Sequence, residues 1–515
     1  MSSPAEAGLR PPRSVVAAVD RVRQADSIWW LVLVAAAFTL AQLALVVPRL
    51  GLSWDETVYI SQVSAHAPAS YFDPARARGI PLLVAPVTLL TSSVLALRIY
   101  LAVASGIALF LALLCWRGLR PAWQLALAGV MFCGLWTTLY YGPQAMPDLW
   151  VAFSSLAAVG LFLQAASAGA SSTATDKAQA PDKAPAASST RWGLLAGLAA
   201  CVAIAALVRP GDALYLAAAL GIAVVVVRQW RRWQLLAAVV IGFAAGAADW
   251  IIEAYVRFGG PLNRLHEAGA EQGGFGFHFA LWDELRAVNG PTLCRPCTVG
   301  FRYPALSLWW LALPVLVVLG AYAAHRAGRL ASSVLAVACG VSLAFQYLFL
   351  INYAAPRFLL PAYALAAIPV ADAIAGLLTG IQRDLRAPAV LLVAVVLGVQ
   401  LLIQGDVLEH QVVEKVSFFG DYNRIAGDLR SLGIRPPCLV KGTQDIPVAF
   451  YAGCASAPGV TVGQKINEPV AVLVAPGKPP PAYARGWTLH ELPGIQSKLL
   501  KVNAYVAPRS STAAG

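Results

Sequence analysis

The sequence SWDE at positions 53–56 places two adjacent carboxylates directly after the first apolar segment of the chain, residues 28–48. Removing a carboxylate from water is costly, so such a pair is either solvated at the surface or kept for chemistry. In the second case, Asp55 is a candidate general base that takes a proton from a hydroxyl group, and Glu56 is its acidic neighbour.

Other charged residues adjoin apolar segments and could complete such a site. Asp148 follows the third apolar span, Arg98 opens the second span, and Arg209 and Arg357 each lie beside a proline at a bend. A guanidinium can bind a phosphate through two parallel hydrogen bonds. The competing explanation, strongest for Arg98, is an arginine that reaches a lipid headgroup from a span end. Further polar candidates are Asp212, close to Arg209, and a group in the long segment 257–303: Glu267, Glu271, His278, Asp283 and Glu284.

The composition indicates what kind of protein must position these residues. Of 515 residues, 58% are hydrophobic and 12% are charged, which excludes a soluble globular protein and predicts a polytopic α-helical membrane protein. The net charge of +12 lies in short basic clusters between apolar spans. This distribution is typical of cytoplasmic loops and argues against a nucleic-acid partner.

The pattern of apolar spans and basic segments predicts about eleven transmembrane helices within residues 28–404. A basic cytoplasmic tail (1–27) and a cytoplasmic linker rich in Ala, Ser and Thr (166–191), expected to be disordered, place outer loops at 49–97 and 257–303. The apolar run Gly79–Thr91 is short and contains proline, so we expect an interfacial or re-entrant helix. As a true span, it would move the basic Arg117–Arg120 loop to the outside.

Residues 405–515 differ in sequence pattern from the apolar spans before them and are predicted to form a small extracytoplasmic α/β domain. A helix is expected at 422–432, and strands are expected at 438–441, 447–451, 471–474 and 501–506. Four of the eight cysteines fall in outer segments, where oxidising conditions favour the disulfides Cys294–Cys297 and Cys438–Cys454. Half of a zinc site at CRPC (294–297) is the alternative, although no second pair lies near it.

Carboxylates and guanidiniums at the boundary between membrane and water suit transfer of a sugar from a lipid phosphate, which needs a base and cations for the departing phosphate. The chain resembles the membrane-embedded GT-C glycosyltransferases, especially the bacterial protein O-mannosyltransferases and aminoarabinose transferases. The resemblance covers residues 28–380 and rests on the order of six motifs: WDETVYIS (54–61), GIP (79–81), ALR (96–98), AMPD (145–148), LVRPG (207–211) and RFLLP (357–361).

The resemblance implies a polyprenyl-phosphate sugar as donor and a hexosyl or pentosyl transfer on the outer face of the plasma membrane. Asp55 then corresponds to the catalytic base, Glu56 to its neighbour and Asp148 to the second acid of the site. Arg209, where relatives carry lysine, and Arg357 correspond to residues near the donor phosphate, and Arg98 is the third candidate there. No cofactor is expected, and a divalent metal between the two aspartates, as in related oligosaccharyltransferases, is the alternative.

The expected partners are the lipid-linked donor, membrane lipids and an acceptor that is a glycan, a glycolipid or a protein. A single base predicts direct displacement with inversion, because a retaining reaction needs a second, nucleophilic carboxylate. Two other functions remain open from the sequence. One is a flippase for a lipid-linked envelope precursor, although the chain shows no paired broken helices. The other is a ligase that uses a lipid pyrophosphate donor.

Overall fold

Long apolar helices form most of the protein, as the composition predicts. The computed structural model describes residues 27–175, 184–274, 276–298, 300–301, 304–456 and 468–508. Most of the predicted tail at 1–27 and the middle of the linker at 166–191 lie outside the described residues. The described helices α7 and α8 extend into that linker from both sides, to Thr175 and from Ala184.

The membrane part of the described chain consists of helices that are joined by loops of varied length. Their bounds are α1 Trp29–Leu45, α2 Trp54–Ser61, α3 Gly79–Thr88, α4 Val94–Leu114, α5 Ala122–Cys133, α6 Trp136–Tyr141, α7 Pro147–Thr175, α8 Ala184–Val208, α9 Pro210–Val226, α10 Trp233–Arg257, α11 Pro261–Glu271, α12 Leu281–Val288, α13 Pro304–Arg326, α14 Leu330–Phe349, α15 Leu360–Gly380 and α16 Arg383–Ser431.

Eight of these helices contain a stretch that is long and apolar enough to cross a membrane. Three shorter apolar helices, α1, α5 and α9, coincide with the other three predicted spans. The chain is therefore a multi-pass membrane protein of the predicted helical class. The count of eleven spans stays a prediction.

The predicted third span, at about 123–141, is not one helix but two, α5 and α6. Helix α5 ends at Cys133, Gly134 is its C-cap, and Leu135 is extended. This break frees the backbone N–H of Trp136, which donates to Oε1 of Gln404 over 2.9 Å. Gln404 is completely buried, so a polar side chain of α16 replaces the hydrogen bond that the helix loses.

Helix α3 is the short helix that the sequence predicts between the first two spans. With ten residues, it rises only ~15 Å, about half of the hydrocarbon thickness. Its first residue, Gly79, packs against the end of α8: a Cβ there would lie 2.6 Å from the carbonyl oxygen of Leu207. The absence of a side chain thus brings α3 against the residues that precede Arg209.

Helix α16 joins two elements that the sequence analysis separated. The predicted span at 388–404 and the predicted helix at 422–432 belong to one helix of 49 residues. No proline occurs between 389 and 435, and the glycines in this stretch weaken a helix without ending it. The helix crosses the predicted domain boundary at 404/405, and the division into domains there stays a prediction.

The C-terminal region contains a four-stranded sheet in the order β1-β2-β4-β3, with β1 parallel to β2 and the other pairs antiparallel. The elements are β1 Leu439–Gly442, α17 Asp445–Ala452, β2 Val470–Val474, β3 Thr488–His490 and β4 Asn503–Val506. The small α/β unit and three of its strands agree with the sequence prediction.

The strand predicted at 447–451 is wrong, because these residues belong to helix α17. The apolar run was too short for its periodicity to distinguish a strand from a helix, and Pro447 is tolerated in the first helical turn. Strand β3 was not predicted: it has three residues and is mostly exposed, so it carries little pattern. Both expected disulfides are present. The second joins Cys438, directly before β1, to Cys454, which follows the C-cap residue of α17.

Replacing Gln404 with alanine tests the interruption between α5 and α6. The variant leaves the Trp136 N–H buried without an acceptor, which costs about 1–3 kcal/mol of stability. We expect a lower thermal unfolding temperature for the purified protein in detergent. Gln400→Ala, one turn earlier on the same helix, is the matched control and should unfold like the wild type. Unchanged unfolding of Gln404→Ala would contradict the pairing.

Candidate active site

Asp55 lies between two arginines at the wall of a polar cavity of about 110 Å³. Arg76 places Nη2 2.7 Å from Oδ1, and Arg357 places Nη2 3.3 Å from Oδ2. The aspartate is in the first turn of α2, which Ser53 and Glu56 close with a reciprocal capping box. Burial favours a higher pKa for Asp55, but the charges of Arg76 and Arg357 outweigh it and hold the pKa below its ordinary 3.8.

Asp148 opens α7 and is buried on the other side of Arg357. Nε of Arg357 lies 3.3 Å from its Oδ2, and Nη1 of Arg209 binds its Oδ1. Arg209 also lies 3.8 Å from Asp212, whose carboxylate accepts a 2.6 Å hydrogen bond from the hydroxyl of Tyr347. Arginines and aspartates therefore alternate from Arg76 to Asp212. The formal charges of these six residues cancel.

Helix ends bring this ion-pair chain together from distant parts of the sequence. Asp55 and Asp148 lie in the first turns of α2 and α7, and Arg209 lies between α8 and α9. Arg357 precedes α15, so four of the predicted site residues meet at one cavity. The first-turn position also places each of these two carboxylates where the helix dipole stabilises a negative charge.

Arg76 is one of two charged residues of this cavity that the sequence did not predict, and Asp73 is the other. Arg76 is the one that pairs with Asp55. It lies in the first outer loop, in the stretch DPARAR (73–78), where nothing in the sequence distinguishes it from Arg78. In the structure its guanidinium also pairs with Asp73 and lies 4.8 Å from the ring centroid of Tyr59. The sequence feature that could have identified Arg76 was its position in the same outer loop as Asp55.

A second arginine, Arg264 of α11, fixes the backbone that presents Arg76. It is completely buried and donates to the carbonyl oxygens of Pro74 over 3.0 Å and of Arg76 over 2.9 Å. It also pairs with Glu253 of α10 at 2.9 Å. The long outer loop therefore holds the first outer loop in place.

Glu56 and Arg98 form an ion pair with no exposed side-chain surface, and neither lines the cavity. Nη2 of Arg98 lies 2.8 Å from Oε2 of Glu56, and the backbone N–H of Ala145 donates to Oε1 over 2.8 Å. Arg98 also donates to the carbonyl oxygen of Pro143 over 2.7 Å. The pair links α2, α4 and the loop before Asp148. Its position indicates that the pair supports the site, whereas the sequence suggested that both residues contact the substrate.

The disulfide-linked loop at Cys294 supports Arg357 in a similar way. The backbone groups of Cys294 and Ala354 exchange two hydrogen bonds, of 2.9 and 3.2 Å, three residues before Arg357. The other polar candidates of the long loop do not line the cavity. They are Glu267, Glu271, His278, Asp283 and Glu284.

Substitutions of Glu56 and Arg98 test the supporting role of the buried pair. Removing one partner leaves the other charge buried without compensation, which costs about 3–5 kcal/mol. We expect Glu56→Gln and Arg98→Met each to lower the thermal unfolding temperature strongly, and the double variant to lose less than the sum of the two. Arg286→Met and Asp283→Asn, which break a pair that is about one third exposed, are the control. Additive losses for the buried pair would contradict the coupling.

Comparison with known proteins identifies the fold. No protein-family model and no curated protein matches the chain. ArnT from Cupriavidus metallidurans, solved with undecaprenyl phosphate, matches with a TM-score of 0.62 and 14% identity over 95% of this chain and 99% of that chain. The oligosaccharyltransferase of Archaeoglobus fulgidus in its apo form matches with a TM-score of 0.53 and 12% identity, over 87% of this chain and 70% of that one.

The archaeal oligosaccharyltransferase AglB from the same organism, solved with an inhibitory peptide and a dolichol-phosphate, has a TM-score of 0.50 and 14% identity over 86% of this chain and 69% of that one. The aminoarabinose transferase ArnT and the oligosaccharyltransferases are GT-C glycosyltransferases. The shared helix order over nearly the whole length of ArnT agrees with the resemblance seen in the sequence motifs. The chain therefore has the GT-C fold of membrane glycosyltransferases.

Proposed function

We propose that this protein is a glycosyltransferase that moves a sugar from a polyprenyl-phosphate donor to an acceptor hydroxyl on the outer face of the membrane. The observation that carries the proposal is the convergence of Asp55, Arg357 and Arg209 on one cavity at the ends of apolar helices. ArnT and AglB, which share the fold, have been solved with polyprenyl phosphates.

Each residue of the cavity has a task in such a reaction. Asp55 takes the proton of the acceptor hydroxyl as that oxygen attacks the anomeric carbon of the sugar. The bond from this carbon to the phosphate oxygen breaks, and the lipid phosphate leaves with the bonding electrons. Arg357 and Arg209 stabilise the negative charge that develops on the phosphate.

The surroundings of Asp148 support inversion at the anomeric carbon. Both of its carboxylate oxygens face arginines, and the side chain is 1% exposed. A carboxylate held in this way is a poor nucleophile towards a sugar in the cavity. Asp148 instead keeps Arg209 and Arg357 in position, and the single base Asp55 suffices for direct displacement.

Donor binding would also change the basicity of Asp55. A phosphate that binds Arg357 competes with Asp55 for the same guanidinium, because Nη2 now faces Oδ2 over 3.3 Å. Loss of this partner raises the pKa of Asp55, and a base with a higher pKa accepts a proton more readily. Asp55 thus becomes an effective base when the donor is in place.

The residues present do not fit a divalent metal between Asp55 and Asp148. Arg357 lies between the two carboxylates and pairs with both, and Arg76 and Arg209 occupy the remaining sides. A metal ion there would face three guanidiniums. Because those arginines provide the positive charge that a phosphate requires, the proposed mechanism uses no metal ion.

We extend the proposal to the location and the reaction partners that the sequence indicates. The donor carries a hexose or a pentose, and the acceptor is a glycan, a glycolipid or a protein of the cell envelope. The plasma membrane is the expected location, with the N-terminus cytoplasmic and the C-terminal α/β unit outside. The basic segments between the spans support this orientation.

Asp55→Asn tests the role of the base. With radiolabelled polyprenyl-phosphate hexoses and pentoses as donors and a membrane extract as acceptor, we expect transfer to fall by about 10²–10⁴-fold while the donor still binds. The control variant Asp283→Asn, in the long outer loop, should transfer the sugar as fast as the wild type. Unchanged transfer by Asp55→Asn would contradict the base role. Movement of the lipid across vesicles without any product would favour a flippase.

Arg76→Gln tests the control of the Asp55 pKa. The charge of Arg76 helps to keep Asp55 ionised below its ordinary pKa of 3.8, so removing it shifts the pKa upwards. The acidic limb of the kcat/KM profile should then move to higher pH, since less of the base is ionised at a given acidic pH. Arg286→Gln serves as the control. An acidic limb that stays in place in Arg76→Gln would contradict this assignment.

A further inference from the structure

The protein has a second, larger cavity at the opposite end of α15 from Arg357. Its volume is about 770 Å³, and it lies between α5, α13 and the last turns of α15, from Asp372 to Gly380. At 1.5 Å per residue, Gly376 lies ~24 Å along the helix from Leu360, which is close to the thickness of the hydrocarbon layer. This cavity therefore belongs to the other face of the membrane, away from the proposed reaction.

One part of the cavity wall is apolar and open to the side. Leu316 and Leu319 of α13 and Leu377 of α15 line it, and the last two are 51% and 53% exposed. These residues lie within helices long and apolar enough to span the membrane. A surface of this kind at membrane depth fits an acyl chain.

The other end of the cavity is cationic. Arg326 ends α13 and Arg329 precedes α14, and both line the cavity. Behind them Asp372 is already occupied by Arg120, whose Nε and Nη2 lie 2.8 and 2.9 Å from its two oxygens. Arg326 and Arg329 thus line the cavity beside an aspartate that a third arginine already pairs with, and these four residues carry a formal charge of +2.

Arg329 is compensated only by a long ion pair to an aspartate that it shares with Arg120. Its Nη2 is 3.6 Å from Asp372, and its Nε is buried without a hydrogen-bond partner among the described residues. Burial and the charge of Arg120 lower the pKa of Arg329, and the charge of Asp372 offsets them only in part. Within the part of the chain that the structure describes, Arg326 makes no ion pair, and the residue is exposed.

The alternative explanation for these arginines is their role in orienting the chain in the membrane. Orientation requires positive charge in the loop but no cavity, no guanidinium Nε buried without a partner and no apolar wall beside it. The half-buried Trp123, at the same cavity, adds an aromatic residue of the type that is enriched at the level of lipid headgroups. An amphiphile with an anionic head matches every part of this site.

We propose that the cavity binds an anionic glycerophospholipid, with its phosphate at Arg326 and Arg329 and an acyl chain along Leu316, Leu319 and Leu377. The bound phosphate would offset the uncompensated charge between α13 and α14. Because α15 connects this cavity with Arg357, the lipid would also brace the helix that carries a residue of the reaction site. The proposal does not depend on which reaction the outer site performs.

The test uses the delipidated full-length protein in a neutral detergent, with binding measured by native mass spectrometry. The probes are phosphatidylglycerol and phosphatidylcholine with identical acyl chains. We expect phosphatidylglycerol to bind more tightly to the wild type, and each of the two arginines to contribute about fivefold to this preference. Arg326→Gln and the double variant Arg326→Gln/Arg329→Gln should lose it stepwise.

The double variant Arg228→Gln/Arg231→Gln, in another basic loop, is the charge-matched control and should keep the preference. Arg326→Gln removes no ion pair of the described structure, so its unfolding temperature should equal that of the wild type. An equal affinity of the wild type for both lipids would overturn the proposal. So would an equal loss in the control, or glycerol phosphate that binds as tightly as the lipid.

Discussion

Arg357 lies between Asp55 and Asp148, and this shared ion pair is the contact on which the outer site depends. Each of the three charges is expensive to hold at the edge of a membrane, and the arginine stabilises both carboxylates. Arg76 and Arg209 extend the alternation on both sides. The result is a cavity whose charges cancel in the absence of a ligand but can be rearranged when a phosphate enters. In the proposed reaction, the arginines supply positive charge to an anionic donor. When no ligand is bound, each of them is paired with a carboxylate.

The surrounding structure keeps this ion-pair chain in place through buried polar contacts. The Glu56–Arg98 pair fixes the helix that carries Asp55 to the loop that precedes Asp148. Arg264 holds the segment of Arg76, and the backbone pairing of Cys294 with Ala354 holds the segment before Arg357. These contacts join segments that are up to about 190 residues apart in sequence. They explain why a site assembled from five different segments has a defined geometry.

The sequence predicted the helical membrane class, the short helix at Gly79 and four residues of the cavity, because those features follow from hydropathy, side-chain charge and sidedness. It did not predict Arg76, since two arginines of the same loop look equivalent until the loop is folded. It also grouped Glu56 and Arg98 with the reacting residues. Glu56 was grouped there because it follows Asp55 in sequence. A helix points successive side chains in different directions, so neighbours in sequence need not reach the same cavity. The helix at Asp445–Ala452 was missed because a short apolar run has no clear period. The continuity of α16 was missed because the change of composition after residue 404 suggested a new domain, whereas no proline ends the helix there.

A structure with bound polyprenyl phosphate tests the central claim, which is that Arg357 exchanges a carboxylate for the phosphate of the donor. We expect the phosphate to contact Arg357 and Arg209, and the distance between Arg357 Nη2 and Asp55 Oδ2 to increase from 3.3 Å to beyond hydrogen-bonding reach. A phosphate bound elsewhere, with the ion pairs of Asp55 to Arg76 and Arg357 unchanged, would contradict it.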